Sequence, residues 1–213
     1  MHFFDVDNPV MRFIMKIGNI WLLNILWLFC SLPVFTIGAS TTALLYSSMK
    51  LVKDEGYPVR NFFRSFRENF LQATVIFLIY AAAAALLVLD LMYWNRMDRS
   101  DMKPVWAVTV ALLIPWCMSV LYVFAVQAKF VHTVPETIRY AMVLSVKHLK
   151  ETVLMLVVAV PVVWLNMTTI VLTNYVTLLF GAGLIAYLFS FYYIRVFSNY
   201  IPGEGQDESG KEN

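Results

Sequence analysis

The apolar positions of this chain fall in long unbroken runs rather than in the alternation of a strand or the narrow stripe of a soluble helix. The first run extends from Gly18 to Gly56. It is about twice the length of one membrane crossing, which needs roughly 20 apolar residues at 1.5 Å rise each. Near its middle stands Leu32-Pro33-Val34-Phe35-Thr36-Ile37-Gly38. Pro33 removes a backbone donor and turns Leu32 away from helical geometry. Thr36 is placed to cap a new helix by accepting from the amides that follow it. The pattern predicts two helices folded back on each other, over 11–32 and 37–52. The second is short, about 24 Å at helical rise, so Lys50 must snorkel if it crosses.

Later runs predict spans over 71–91, 105–126, 152–172 and 176–194. Polar stretches separate them. The first connector covers 53–69; in it and at its exit Phe62, Phe63, Phe66 and Phe70 fall at i, i+1, i+4 and i+8, and Arg60, Arg64 and Arg67 mark a second face. This predicts an amphipathic helix lying in the headgroup layer. A second basic connector covers 129–151 and contains His132, Pro135, Arg139, Lys147, His148 and Lys150. The two connectors repeat one order of features: Lys50-Leu51-Val52, Pro58 and Ser65-Phe66-Arg67 correspond to Lys129-Phe130-Val131, Pro135 and Ser145-Val146-Lys147. The tail 201–213 is rich in Gly, Glu and Ser without aromatics, and is predicted to be disordered. The expected fold is an all-α polytopic membrane protein, with six transmembrane helices and two cytoplasmic amphipathic connectors, in a single membrane domain over 1–200.

Composition agrees. Of the 213 residues 60% are hydrophobic and 14% charged, with a mean hydropathy of +0.68, which excludes an ordinary soluble fold. The net charge of +2, without a basic patch interleaved with aromatics, points to no nucleic-acid partner. With six spans, thirteen of the sixteen Lys and Arg fall on one side, and Arg96, Arg99 and Lys103 on the other. If 37–52 does not cross, the larger group falls to eleven. The positive-inside rule therefore predicts six spans with both termini cytoplasmic. A cleaved leader is not expected, because the start carries Asp5 and Asp7 and the apolar run overruns a signal core. Cys30 and Cys117 each lie in an apolar run and read as small hydrophobes.

Candidate chemistry is sparse. There is no phosphate-binding Gly loop, HExxH, GxSxG or paired-Cys motif. No charged residue sits near the middle of a span; Asp90 lies at an outer end. This speaks against a proton-coupled carrier and an intramembrane hydrolase. No catalytic residue, metal or cofactor is expected, and His132 and His148 read as interfacial histidines. What remains is neutral polarity. Asn24, Trp27 and Ser31 form one stripe at i, i+3 and i+7. The stripe reads as a hydrogen bond holding the hairpin together, or as a lining for a sugar or lipid headgroup with Trp27 as a stacking face. Ala39, Ala43 and Ser47 make a small-residue face toward the first span. Asn166, Thr168, Thr169, Thr173 and Asn174 gather at the end of the fifth span, where threonines can bond their own helix. In the first connector, Phe63, Arg64, Phe66 and Arg67 suit either anionic lipid, at about 1 kcal/mol per charge, or the acidic face of a partner.

Three phrases, Leu23-Asn24 through Trp27-Leu28, then Cys30-Ser31-Leu32-Pro33, then Thr36-Ile37-Gly38-Ala39-Ser40-Thr41-Thr42-Ala43, resemble the signature of the YesL family. The resemblance continues through Lys50 into Phe62-Phe63-Arg64-Ser65-Phe66-Arg67-Glu68-Asn69-Phe70 and covers the first 75 residues. It implies a small multispanning bacterial membrane protein, encoded beside genes for carbohydrate uptake and breakdown, with no assigned catalytic residue. Two readings follow. One is an accessory or assembly subunit of an ABC-type carbohydrate importer, contacting its membrane or ATPase subunits; the chain lacks the Glu-Ala-Ala coupling loop expected of the permease itself. The other is a stand-alone transporter or channel for a neutral solute, whose route would use Asn24, Ser31, Thr36 and the Asn166 group.

Overall fold

A computed structural model describes residues 9–96, 103–168 and 177–200. The fold is all-α. Helix α1 (Pro9–Cys30) ends one turn before Pro33, whose extended backbone leads into a single 3-10 turn at Val34–Thr36. Helix α2 (Ile37–Val52) follows at once, with the predicted bounds. Thr36 does not cap it in the predicted way. Its backbone is already helical at φ −89° and ψ −3° rather than extended as a capping residue requires. Its hydroxyl points backward instead, shared between the carbonyls of Cys30 at 2.5 Å and Pro33 at 2.6 Å.

The two helices run antiparallel along their whole length. Trp27 Nε1 donates to Thr41 Oγ1 at 3.1 Å and the Ser31 and Ser40 hydroxyls meet at 2.6 Å near the turn. At the far end Lys16 Nζ lies 3.0 Å from Asp54. Helix α2 is the centre of the molecule: eleven of its sixteen residues are buried and none is exposed. A helix shielded from lipid on every side has no need to match the bilayer's thickness, which accounts for its length.

Helix α3 (Pro58–Arg96) is one continuous rod of 39 residues, about 58 Å long. The predicted connector helix and third span are therefore a single element. Nothing between Asn69 and Gln72 breaks a helix, and Pro58 stands at its start, where a missing amide costs least. Within the segment 58–70, Phe62 and Ser65 are fully buried while Phe63 stays exposed. Gly38 packs on α3, while Ser40 and Thr41 face α1. A Cβ built on Gly38 would stand 2.6 Å from Phe77 Cβ and closer still to the Ala73 carbonyl oxygen. This seats the tip of the hairpin against Ala73–Phe77. The 19 residues from there to Arg96 run on for about 28 Å past the tip.

Helix α4 (Lys103–Lys129) accompanies α3 in the opposite direction. Gln127 bonds Asn69 and Gln72, Tyr80 bonds Ser119, and Asp90 bonds Thr109, in that order along the pair. Between Ala81 and Tyr93 no residue of α3 is buried, so the far half of the pair is a two-helix arm with apolar outer faces. Helices α5 (Val134–Lys147) and α6 (Leu149–Thr168) meet at 96° around His148. A π turn at Thr177–Gly181 leads into α7 (Ala182–Ser198), which closes the core against α1, α2 and α4. Tyr122, Tyr193, Phe62 and Phe197 are the largest side chains in that core.

Among the described residues, four helices are long and apolar enough to cross a membrane: Met11–Cys30, Pro58–Tyr93, Ala107–Lys129 and Leu179–Ser198. The bent pair Val134–Lys147 and Leu149–Leu165 makes five if it counts as one span. The difference from six lies in α2, which at 16 residues is shorter than a span by itself. The chain is a multi-pass membrane protein. The predicted tail at 201–213, most of the loop at 95–103, and Thr169, Thr173 and Asn174 lie outside the described residues.

Candidate functional site

The polar stripe of α1 is fully engaged in helix packing. Asn24 is completely buried, and its Oδ1 accepts from the Gly183 amide at 2.8 Å. The bond goes to α7, 159 residues along the chain, rather than across the hairpin. Gly183 stands two residues past the π turn, and a Cβ there would meet Ile20 O at 2.7 Å and Asn24 Cβ at 2.9 Å. A side chain would force the two helices apart and stretch the bond. The hairpin is held instead by Trp27 to Thr41, Ser31 to Ser40 and the backward bonds of Thr36. Pro33 sits exposed in the turn, and Gly38 is buried against α3. Asn24, Trp27, Ser31, Thr36 and Gly38 thus each sit at a contact within the bundle, and Pro33 does not.

A second polar junction had no counterpart in the sequence reading. Gln127, 2% exposed, donates from Nε2 to Asn69 Oδ1 at 3.0 Å and to Gln72 Oε1 at 2.8 Å. Its Oε1 accepts from Thr137 Oγ1 at 3.1 Å. Asn69 in turn donates to the Ser65 carbonyl at 3.1 Å. One amide therefore ties α3, α4 and α5 together. The available signal was a lone amide near the end of an apolar run, two residues before Lys129, which by itself names no partner.

The outward face of α3 presents Phe63, Arg64 and Arg67 to the surroundings. Arg64 Nε lies 3.0 Å from Glu68 one turn on, with both side chains well exposed. An exposed pair of this kind contributes little to stability and leaves the guanidinium within reach of an incoming acid. Phe66 is half-buried, stacked at 11° on Phe62 and edge-on to Phe70 at 5.4 Å, so it braces the face rather than forming it.

His132 stacks between Phe130 and Tyr140, with the Tyr140 ring 4.6 Å away, and His148 bonds the Tyr200 hydroxyl at 3.1 Å. Among the described residues no cluster of His, Cys, Asp and Glu is arranged to hold a metal. Cys30 and Cys117 are free thiols, each half-buried. Among the described residues, the buried polar atoms Ser47 Oγ, Ser48 Oγ, Thr74 Oγ1 and Trp116 Nε1 have no hydrogen-bond partner, and nothing in the packing explains them.

Residues 20–91, α1 from its middle through α2 to the arm of α3, match the model of a family described as a protein of unknown function, DUF624. The match takes in the hairpin, the Gly38 crossing and the arginine face. No curated protein and no solved structure matches the chain.

Proposed function

We propose that this is a YesL-like, non-enzymatic membrane subunit that assists a bacterial ABC-type carbohydrate importer through contact with its membrane or ATPase subunits. The observation that carries the reading is the fate of the polar residues in the hairpin. Asn24 and Thr36 are buried and bonded to backbone, and Ser31 is bonded to Ser40. A solute route needs polar groups turned toward a passage, and these hold helices together. Of the candidate lining of a stand-alone transporter or channel, Asn24, Ser31 and Thr36 are taken up in bonds within the bundle. What the chain offers outward is the Phe63, Arg64 and Arg67 face.

In this account the protein sits in the bacterial plasma membrane with both termini cytoplasmic and uses no cofactor and no nucleic acid. The arginines recognise acidic side chains on the partner through the planar, bidentate fork that lysine lacks. Gentle extraction from native membranes tests it. The wild type brings an importer subunit with it. The Arg64→Lys/Arg67→Lys variant inserts normally, keeps its charge and comes without the partner. A wild type that copurifies with no membrane or ATPase subunit refutes the reading.

A further inference from the structure

We propose that α5 is an interfacial helix, lying in the plane of the bilayer surface with Met142 and Val146 in the upper acyl region and Arg139 and Lys150 at anionic headgroups. Both ends of α5 are held at one end of α7. Just before it, Phe130 meets Phe197 edge-on at 5.2 Å. At its other end, His148 bonds the Tyr200 hydroxyl at 3.1 Å and Lys147 Nζ stands 5.0 Å over the Tyr200 ring. A helix of 14 residues, about 21 Å long, therefore crosses the end of α7 instead of running beside it. Helix α6, whose exposed side chains from Val153 to Leu165 are all apolar, leaves at 96°. With α6 directed into the bilayer, α5 lies along its surface.

The faces of α5 agree with this placement. Thr137, Ala141, Leu144 and Ser145 are buried. Beside them Ile138, Met142 and Val146 form a stripe at i, i+4 and i+8, which Leu149 extends. Met142, Val146 and Leu149 are exposed. The stripe is continuous at Leu149 with the exposed apolar surface of α6, so what covers it is lipid rather than a soluble partner. Arg139 and Lys150 border the stripe and are exposed, which lets their stems follow the apolar ground while the charged ends reach headgroups. From Val134 to Lys150, three cations stand against the single acid Glu136, the balance of a helix that rests on an anionic surface. Tyr140 and Tyr200, both exposed, supply the amphipathic rings of a membrane–water boundary. The proposal is independent of the importer and of the Arg64 and Arg67 face.

The test is depth-dependent fluorescence quenching of the full chain in nanodiscs of phosphatidylcholine and phosphatidylglycerol. Met142→Cys, Val143→Cys and Val146→Cys, made singly in a Cys30→Ser/Cys117→Ser background, each carry one fluorophore. Lipids spin-labelled near the headgroup should quench the labels of Met142→Cys and Val146→Cys, and lipids labelled deep in the chain should quench them far less. The label of Val143→Cys, about 100° around the helix from Met142, should escape both. Quenching by the deep label that changes steadily from 142 through 143 to 146 would mean that α5 spans, and no quenching at any of the three would mean that water or protein covers the stripe; each overturns the proposal. At the Met142→Cys label, shallow spin-labelled phosphatidylglycerol should be favoured over phosphatidylcholine about fivefold, the effect of one cation near the surface. Arg139→Gln/Lys150→Gln should remove that preference, and Arg64→Gln/Arg67→Gln, which takes the same charge from elsewhere, should leave it. A preference absent from the parent, or surviving in Arg139→Gln/Lys150→Gln, overturns the assignment to anionic headgroups.

Discussion

Gly38→Ala adds one methyl group at the point where α2 crosses α3. A Cβ there would lie 2.6 Å from Phe77 Cβ, against an ordinary contact of 3.4 Å or more, a shortfall of 3.4 − 2.6 = 0.8 Å. The Ala73 carbonyl is nearer still, and it is backbone, so no rotamer change relieves the clash. The helices must separate along the most extensive interface in the molecule. Overpacking of a tight core costs about 1–3 kcal/mol, and each kcal/mol lowers the melting temperature of a chain this size by about 2–4 °C. Gly18→Ala is the matched control: the same methyl, in α1, meets nothing within 4 Å and should cause no loss. Thermal melts of the two variants in the same detergent measure the difference. A Gly38→Ala protein as stable as Gly18→Ala would refute the seating of the hairpin tip against Ala73–Phe77.

Asn24→Leu removes the acceptor of the Gly183 amide and should cost about 1 kcal/mol, the usual scale of a hydrogen bond in a membrane interior; loss of cellular function without loss of stability would contradict its packing role. Gln127→Leu strands the Asn69, Gln72 and Thr137 groups, at about 1–3 kcal/mol, and should raise amide exchange in α5 above that in α7; equal exchange would refute its role as the tie. At the start of α5, Glu136 accepts from the Thr133 amide and then from the Thr133 hydroxyl, which hold its pKa below the ordinary 4.5. A depressed carboxylate stabilises the folded state above its ordinary range, and that contribution fades as pH falls below 4.5 toward the lowered value. Acid should therefore lower the exchange protection factor of the first turn of α5, and Glu136→Gln should remove that change in protection. In a Cys30→Ser/Cys117→Ser background, Tyr93→Cys should label from outside intact cells and Glu55→Cys should not; the reverse pattern would contradict the cytoplasmic termini.

The elements set by local chemistry were legible in the sequence. Pro33 ended α1, and the run from Ile37 to Val52 became α2 with the expected bounds. Pro115 and Pro161 sit inside α4 and α6. What local patterning misses is contact between distant parts of the chain. The Phe and Arg faces of 58–70 looked like a separate interfacial helix because an apolar stripe does not say whether lipid or protein covers it; here Phe62 is buried in the core, Phe63 is exposed, and α3 continues without a break. Asn24 was readable as a buried amide in need of a bond, but its partner is a backbone amide exposed to it by a glycine in α7. The Gln127 junction depends on the order in which helices pack, which no single run of residues encodes.

The most direct test of the functional account is sugar uptake by vesicles that contain the purified chain and no other protein. The account predicts flux no greater than in empty vesicles, because Asn24, Ser31 and Thr36 are bonded within the bundle. Saturable uptake that disappears in Asn24→Leu, with the variant still folded, would contradict it and establish the chain as a transporter in its own right.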